Sequence, residues 1–174
     1  GNVFGVAPSP SGTTIRYTVG ACFVSYIVTV DPVPPGILGP LEVCMGDTAT
    51  YTNTLPGGVW SSADTSLATI DSFTGLLTGV AAGTVTITYT TLGNCIAIYS
   101  VIINNKEPIL GASRVCQGDT IHLSNANLTG VWTHTSPLIT ILTASGGTAV
   151  ISGTSPGVDT IIYTTGTLCV SKKI

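Results

Sequence analysis

Residues 84–90 read Thr-Val-Thr-Ile-Thr-Tyr-Thr, an alternation that puts Val85, Ile87 and Tyr89 on one side and threonines on the other. Apolar residues at every second position suit a β-strand with one buried face, because successive side chains of a strand point to opposite faces. Threonine suits the other face: it branches at Cβ, is stiff at χ1 and packs well on a pleated surface. Thr91-Leu92-Gly93-Asn94 then reads as a turn and Cys95 to Ile103 as a second strand, which together predict a hairpin.

Farther out, the chain repeats itself. Ile37-Leu38-Gly39, Val43-Cys44, Gly46-Asp47-Thr48 and Gly58-Val59-Trp60 recur, all at one offset, as Ile109-Leu110-Gly111, Val115-Cys116, Gly118-Asp119-Thr120 and Gly130-Val131-Trp132. Tyr89-Thr90-Thr91 and Cys95 recur as Tyr163-Thr164-Thr165 and Cys169, at an offset longer by two, so the second copy carries a two-residue insertion. The N-terminus matches only the end of this pattern: Ile15 to Thr18 aligns with Ile87 to Thr90, and Cys22 to Tyr26 with Cys95 to Tyr99. A fixed period of this kind is the signature of a tandem array. The expected organisation is the last part of one unit over 1–33, a complete unit over 34–106, and a second unit over 107–174 cut inside its last strand. Pro32, Pro34 and Pro35 in the first linker predict a short, semi-rigid spacer.

Composition agrees and excludes several functions. Short strands punctuated by Gly and Pro, without helix periodicity, predict an all-β fold built as sandwiches. Charged residues make up only 7% of the chain and the net charge is −3, so no basic footprint for nucleic acid exists. Mean hydropathy is +0.53, yet the longest apolar run, Cys95 to Ile103, is nine residues broken by Ser100. A spanning helix needs about 20 apolar residues, so no membrane-spanning segment is expected. No basic-then-apolar leader opens the sequence.

Five cysteines is an odd number, and the repeat suggests why. Each unit has one cysteine near its start and one near its end, which predicts the pairs Cys44–Cys95 and Cys116–Cys169, with Cys22 bonded to a cysteine upstream. Disulfides imply an oxidising, extracellular setting. A zinc site is disfavoured, since no Cys-x-x-Cys or histidine stands at ligand spacing.

The run from Val59 to Asp71, VWSSADTSLATID, followed by Gly75 to Ile87, GLLTGVAAGTVTI, closely resembles the bacterial immunoglobulin-like group 2 repeat. The resemblance is fainter in the second unit, where Trp132, Gly153, Pro156-Gly157 and Tyr163 remain. With its added cysteines, the chain resembles the variety found in long secreted surface proteins of Bacteroidota. The resemblance implies tandem immunoglobulin-like β-sandwiches, set end to end with the period of the repeat and used as a stalk or spacer, without catalysis or cofactor. It also implies that Trp60 and Trp132 are core residues, with Tyr89 and Tyr163 beside them, in preference to sugar-stacking aromatics.

Other candidate residues carry less specific patterns. His122 and His134 align with Thr50 and Ser62, so the repeat does not need them, and they read as exposed strand residues. Asp47 and Asp119, with Glu42, Asn104, Asn105 or Glu107, have the ligand type for calcium, but Asp in Gly-Asp-Thr is an ordinary turn residue and no metal is expected. Thr48, Thr120 and Thr160 follow Asp and precede an aliphatic, which makes them candidate O-glycosylation sites. Asn127-Leu128-Thr129 fits the N-glycosylation acceptor. No nucleophile elbow, carboxylate pair or phosphate loop is present, so no catalytic residue is expected.

The function expected from the sequence is a structural stalk or fibre segment on the cell surface, non-catalytic, packing laterally into a multi-chain filament. The alternatives are an adhesive module for glycans or a cell surface, and an accessory domain of a secreted polysaccharide-degrading enzyme. Expected partners are neighbouring repeats, further copies of the chain and surface glycans.

Overall fold

The computed structural model describes residues 2–174, and every element it contains is a β-strand. Strands β1 (Ser9–Val19) and β2 (Cys22–Val30) form an antiparallel hairpin closed at the Val19↔Cys22 pair. The first sandwich comes next: β3 (Glu42–Cys44), β4 (Thr48–Thr50), β5 (Val59–Ser62), β6 (Ala68–Ile70), β7 (Leu76–Gly79), β8 (Gly83–Thr90) and β9 (Ile96–Asn104). One of its sheets has the order β3-β9-β8-β5 and the other β4-β7-β6.

The second sandwich contains β10 (Leu110–Gly111), β11 (Thr120–Ser124), β12 (Gly130–His134), β13 (Ile139–Ser145), β14 (Thr148–Gly153), β15 (Ile161–Thr165) and β16 (Val170–Lys173). Its sheets are β10-β11-β14-β13 and β12-β15-β16. The fold is all-β and immunoglobulin-like.

Each sandwich has its own core. In the first, Tyr51, Trp60, Leu77, Val85, Ile87, Tyr89, Val101 and Ile103 are buried together. Leu123, Trp132, Ala149, Ile151, Ile161 and Tyr163 do the same in the second. The alternation of β8 accounts for its share directly, because Val85, Ile87 and Tyr89 face inward while Thr86, Thr88 and Thr90 beside them are half-buried.

Trp60 lies opposite Tyr89 in the β5–β8 register, with ring centroids 4.7 Å apart, and Trp132 lies opposite Tyr163 at 4.6 Å. Both pairs are tilted, an arrangement the aromatic quadrupole favours. The buried tyrosine hydroxyls are satisfied by loop backbone: Tyr89 donates to the Leu55 carbonyl and accepts from Gly58 N–H, and Tyr163 donates to the Asn127 carbonyl. Gly75 sits at φ 71° in the β6–β7 turn, and a Cβ there would lie 2.3 Å from the Tyr51 carbonyl oxygen. Only glycine suits that position.

The placement of β3 decides which residues meet at the exit of the first sandwich. It pairs with β9 in parallel, with Glu42 opposite Ile102, Val43 opposite Ile103 and Cys44 opposite Asn104. A segment early in the sequence is therefore laid beside the last residues of its own sandwich, at the end where the chain leaves it.

Candidate functional site: the joint between two sandwiches

The chain crosses from the first sandwich to the second through Asn105 to Pro108, and side chains from both sides hold this crossing. From the first sandwich, Asn104 Nδ2 donates to Glu42 Oε2 at 2.7 Å, and Lys106 Nζ donates to Asp47 Oδ1 at 2.6 Å. The Lys106–Asp47 pair is partly exposed, so its contribution is below about 1 kcal/mol and mainly fixes direction. From the second sandwich, the Glu107 carbonyl accepts from Asn125 Nδ2 at 2.7 Å and from Ser171 Oγ at 2.5 Å. Asn125 and Ser171 are both buried, so replacing either with alanine removes one of the two donors that hold the Glu107 carbonyl.

A covalent bond crosses the same gap: Cys44 is joined to Cys169, with Cα atoms 5.6 Å apart. Cys169 is buried, and its turn is built by Thr165, whose N–H donates to the Cys169 carbonyl and whose hydroxyl accepts from Cys169 N–H. The bond closes a loop with a sequence separation of 125. Restricting the unfolded chain to that extent contributes about 5 kcal/mol in the loop-entropy account.

This corrects the pairing expected from the repeat. Cys44 is not bonded to Cys95, nor Cys116 to Cys169; Cys22, Cys95 and Cys116 have no partner within residues 2–174. The reason is the direction of β3. Cys44 lies beside Asn104, whereas Cys95 precedes β9 at the other end, about 30 Å away along that extended strand. Cys116 lies near the end of β16, where it lines a groove with Lys173 and Ile161, while Cys169 is in the turn at the start of that strand. Disulfides need Cα atoms within about 7 Å, so neither predicted pair can close.

The other candidate residues are spread over the surface. Asp47 N–H donates to the Cys44 carbonyl and Asp119 N–H to the Cys116 carbonyl, so both occupy tight turns. No group of three or more His, Cys, Asp or Glu that could hold a metal ion is found among the described residues. Thr48 and Thr120 are exposed and Thr160 is half-buried. His122 is exposed on β11, but His134 departs from the sequence reading: it is half-buried, and its Nδ1 donates to the Ser136 carbonyl at 2.6 Å with Asp159 Oδ2 at 3.3 Å. Among the described residues, no helix is long and apolar enough to cross a membrane.

In the sequence, Asp159 stands out only as the residue before Thr160, which gives its carboxylate no role. Its side chain, 3% exposed, accepts from Thr135 N–H and Oγ1, Ser136 N–H and Thr160 N–H. Burial pushes its pKa up, but the donors on Thr135, Thr160 and Ser136 outweigh burial and hold it below the ordinary carboxylate value. A lowered native pKa gives stability that is present above the unfolded value, about 4, and lost as pH falls through the folded value. The melting temperature of the second sandwich should therefore drop below about pH 4, and Asp159→Asn should flatten that drop. An unchanged acid profile in the variant would contradict this role.

Residues 46–92 match the sequence model of the bacterial Ig-like domain (group 2). Among curated protein sequences, none matches the chain. Of solved structures, the S-layer protein rSbsC(31-844) is 14% identical with a TM-score of 0.35, the match covering 88% of this chain and 30% of that one. The human desmocollin-1 ectodomain is 12% identical with a TM-score of 0.28, covering 89% of this chain and 39% of that one. Domains 4 and 5 of the S-layer protein SbsC are 18% identical with a TM-score of 0.30, covering 72% and 80%. The chain thus spans well under half the length of the first two. The family match and the intramolecular disulfide fit an extracellular module of structural or adhesive type.

Proposed function

We propose that this chain is a load-bearing segment of a long extracellular repeat protein, a stalk or fibre in which sandwiches follow one another end to end without catalytic duty. The observation that carries the proposal is the Cys44–Cys169 bond, which ties one sandwich to the next across their joint. A bond within a sandwich would stabilise that unit alone. A bond across the joint fixes the angle between units and passes tension from one to the next.

Further copies of the chain are the proposed lateral partners. On the outer face of the β5-β8-β9 sheet, Val59, Ile96 and Ile98 are 46%, 57% and 64% exposed and flank Thr88 and Thr90, an uncharged face suited to a neighbouring rod. One observation favours an adhesive reading: Phe73, on the β6–β7 turn, is 84% exposed and offers a ring to a sugar face. Negative-stain images of the native full-length protein should show thin, straight, beaded rods, bundled more than one chain wide. Compact or randomly coiled particles under oxidising conditions would overturn the stalk, and single rods at every concentration would remove the bundling.

A further inference from the structure

Two of the three remaining cysteines, Cys95 and Cys116, share the local surroundings of the bonded pair at the joint. The surroundings of Cys116 reproduce those of Cys44. Gly46 N–H donates to the Gly79 carbonyl, Asp47 N–H to the Cys44 carbonyl and Gly79 N–H to the Asp47 carbonyl. Gly118, Asp119 and Gly153 make the same three bonds around Cys116. The turn of Cys95 likewise reproduces that of Cys169. Thr91 N–H donates to the Cys95 carbonyl and Thr91 Oγ1 accepts from Cys95 N–H, as Thr165 does for Cys169. Asn94 and Leu168, each just before the cysteine, are the two non-glycine residues at positive φ among the described residues, 60° and 61°.

The linker clamps recur as well. Asn53 Nδ2 donates to the Pro35 carbonyl at 2.6 Å, as Asn125 does to Glu107, and each asparagine Oδ1 accepts from the N–H two residues on. So the first sandwich receives its incoming linker as the second does. Asp31, which follows β2 as Asn104 ends β9, lies against Gly93 so closely that a Cβ there would be 2.1 Å from Asp31 Oδ2. Asn104 is the residue beside which Cys44 is held. Cys95 therefore stands next to the place where the preceding unit's early cysteine would sit, and it lines a cavity there with Val28 and Val30. Cys116 is exposed at the rim of the exit groove.

We propose that Cys95 and Cys116 each form an inter-sandwich disulfide of the Cys44–Cys169 kind, with two different partners. Cys95 takes the thiol of a β3-like strand in the preceding sandwich, and Cys116 takes the thiol of a Thr-x-x-x-Cys turn in the following one. This rests on the reading of the Cys44–Cys169 joint as a load-bearing element. Each bond forms as two thiols give up two protons and two electrons to a disulfide oxidant of the extracytoplasmic compartment, protein or small-molecule, which leaves as its dithiol.

The consequence is mechanical. Each sandwich contributes one cysteine to the joint before it and one to the joint after, so the bonds overlap along the array. The covalent path from Cys95 to Cys116 runs from the entry end of one sandwich to the exit end of the next through β9 and the linker. Its contour is at most about 75 Å, against about 500 Å for the two sandwiches unfolded without bonds. The array would extend about sevenfold less even if every sandwich lost its core.

The test is a disulfide map of the native full-length polypeptide, alkylated without reduction. The expected result is the Cys95 peptide linked to a cysteine upstream and the Cys116 peptide linked to one downstream, both within material that runs as a single chain without reductant. Recovery of either cysteine as an alkylated thiol overturns the proposal, as does linkage found only in covalent multimers. The Cys44–Cys169 peptide in the same digest is the internal control. Its absence would refute the joint itself, and its presence with alkylated Cys95 and Cys116 would refute only their pairing.

Discussion

Pulled from its two termini, the chain with Cys44–Cys169 intact should lengthen by about 430 Å less than the reduced chain, because 125 residue spacings lie inside the disulfide loop. The bond diverts the load. Tension reaching β3 passes at Cys44 into Cys169 and leaves through β16, so the cores of both sandwiches lie off the covalent path. Force spectroscopy on chains with the other three cysteines alkylated measures this as a contour-length difference between oxidised and reduced molecules. Equal lengths in both states would show that the bond does not join the two sandwiches. A difference of only about 170 Å, the contour of about 50 residues, would indicate a bond confined to one sandwich.

The second large effect concerns the cores. Trp60→Ala should cost the first sandwich about 3–5 kcal/mol, the usual range for emptying a large aromatic site. Trp60 is buried, stacks on Tyr89, and packs against the turn that holds Gly75. A sandwich of this size has little more stability than that to lose. Because the two cores share no buried residue, amides of β5 and β8 should lose hydrogen-exchange protection while those of β12 and β15 keep theirs. Simultaneous loss in both sandwiches would contradict two independent cores.

Much of this architecture is legible in the sequence, and the legible part is local. The alternation of residues 84–90 is a property of one strand, and the inward set Val85, Ile87 and Tyr89 follows from it. The repeated Gly-Val-Trp marks the strand that lies against each buried tyrosine. The disulfide is not legible in the same way, because its pairing depends on which end of a sandwich each cysteine occupies. That is decided by the parallel alignment of β3 with β9, the first and last strands of one sandwich. Order along the chain suggests that the early and late cysteines of a unit meet, whereas the early one stands at the exit and the late one at the entrance. Asn53 and Asn125 do carry a signal, since they stand at the same spacing as Cys44 and Cys116 and hold the linker clamps. The carboxylate of Asp159 has no such signal, since its donors, apart from the adjacent Thr160 N–H, come from Thr135 and Ser136, 24 and 23 residues away along the chain.

The covalent staple belongs to the joint and not to the unit, and one digest decides it. Cleavage after Lys and Arg combined with cleavage before Asp places each of the five cysteines on its own peptide. Mass spectrometry of unreduced, alkylated protein should find residues 31–46, carrying Cys44, linked to residues 159–172, carrying Cys169. Residues 31–46 linked instead to residues 71–106, which carry Cys95, would return the bond to the interior of one sandwich and contradict the account.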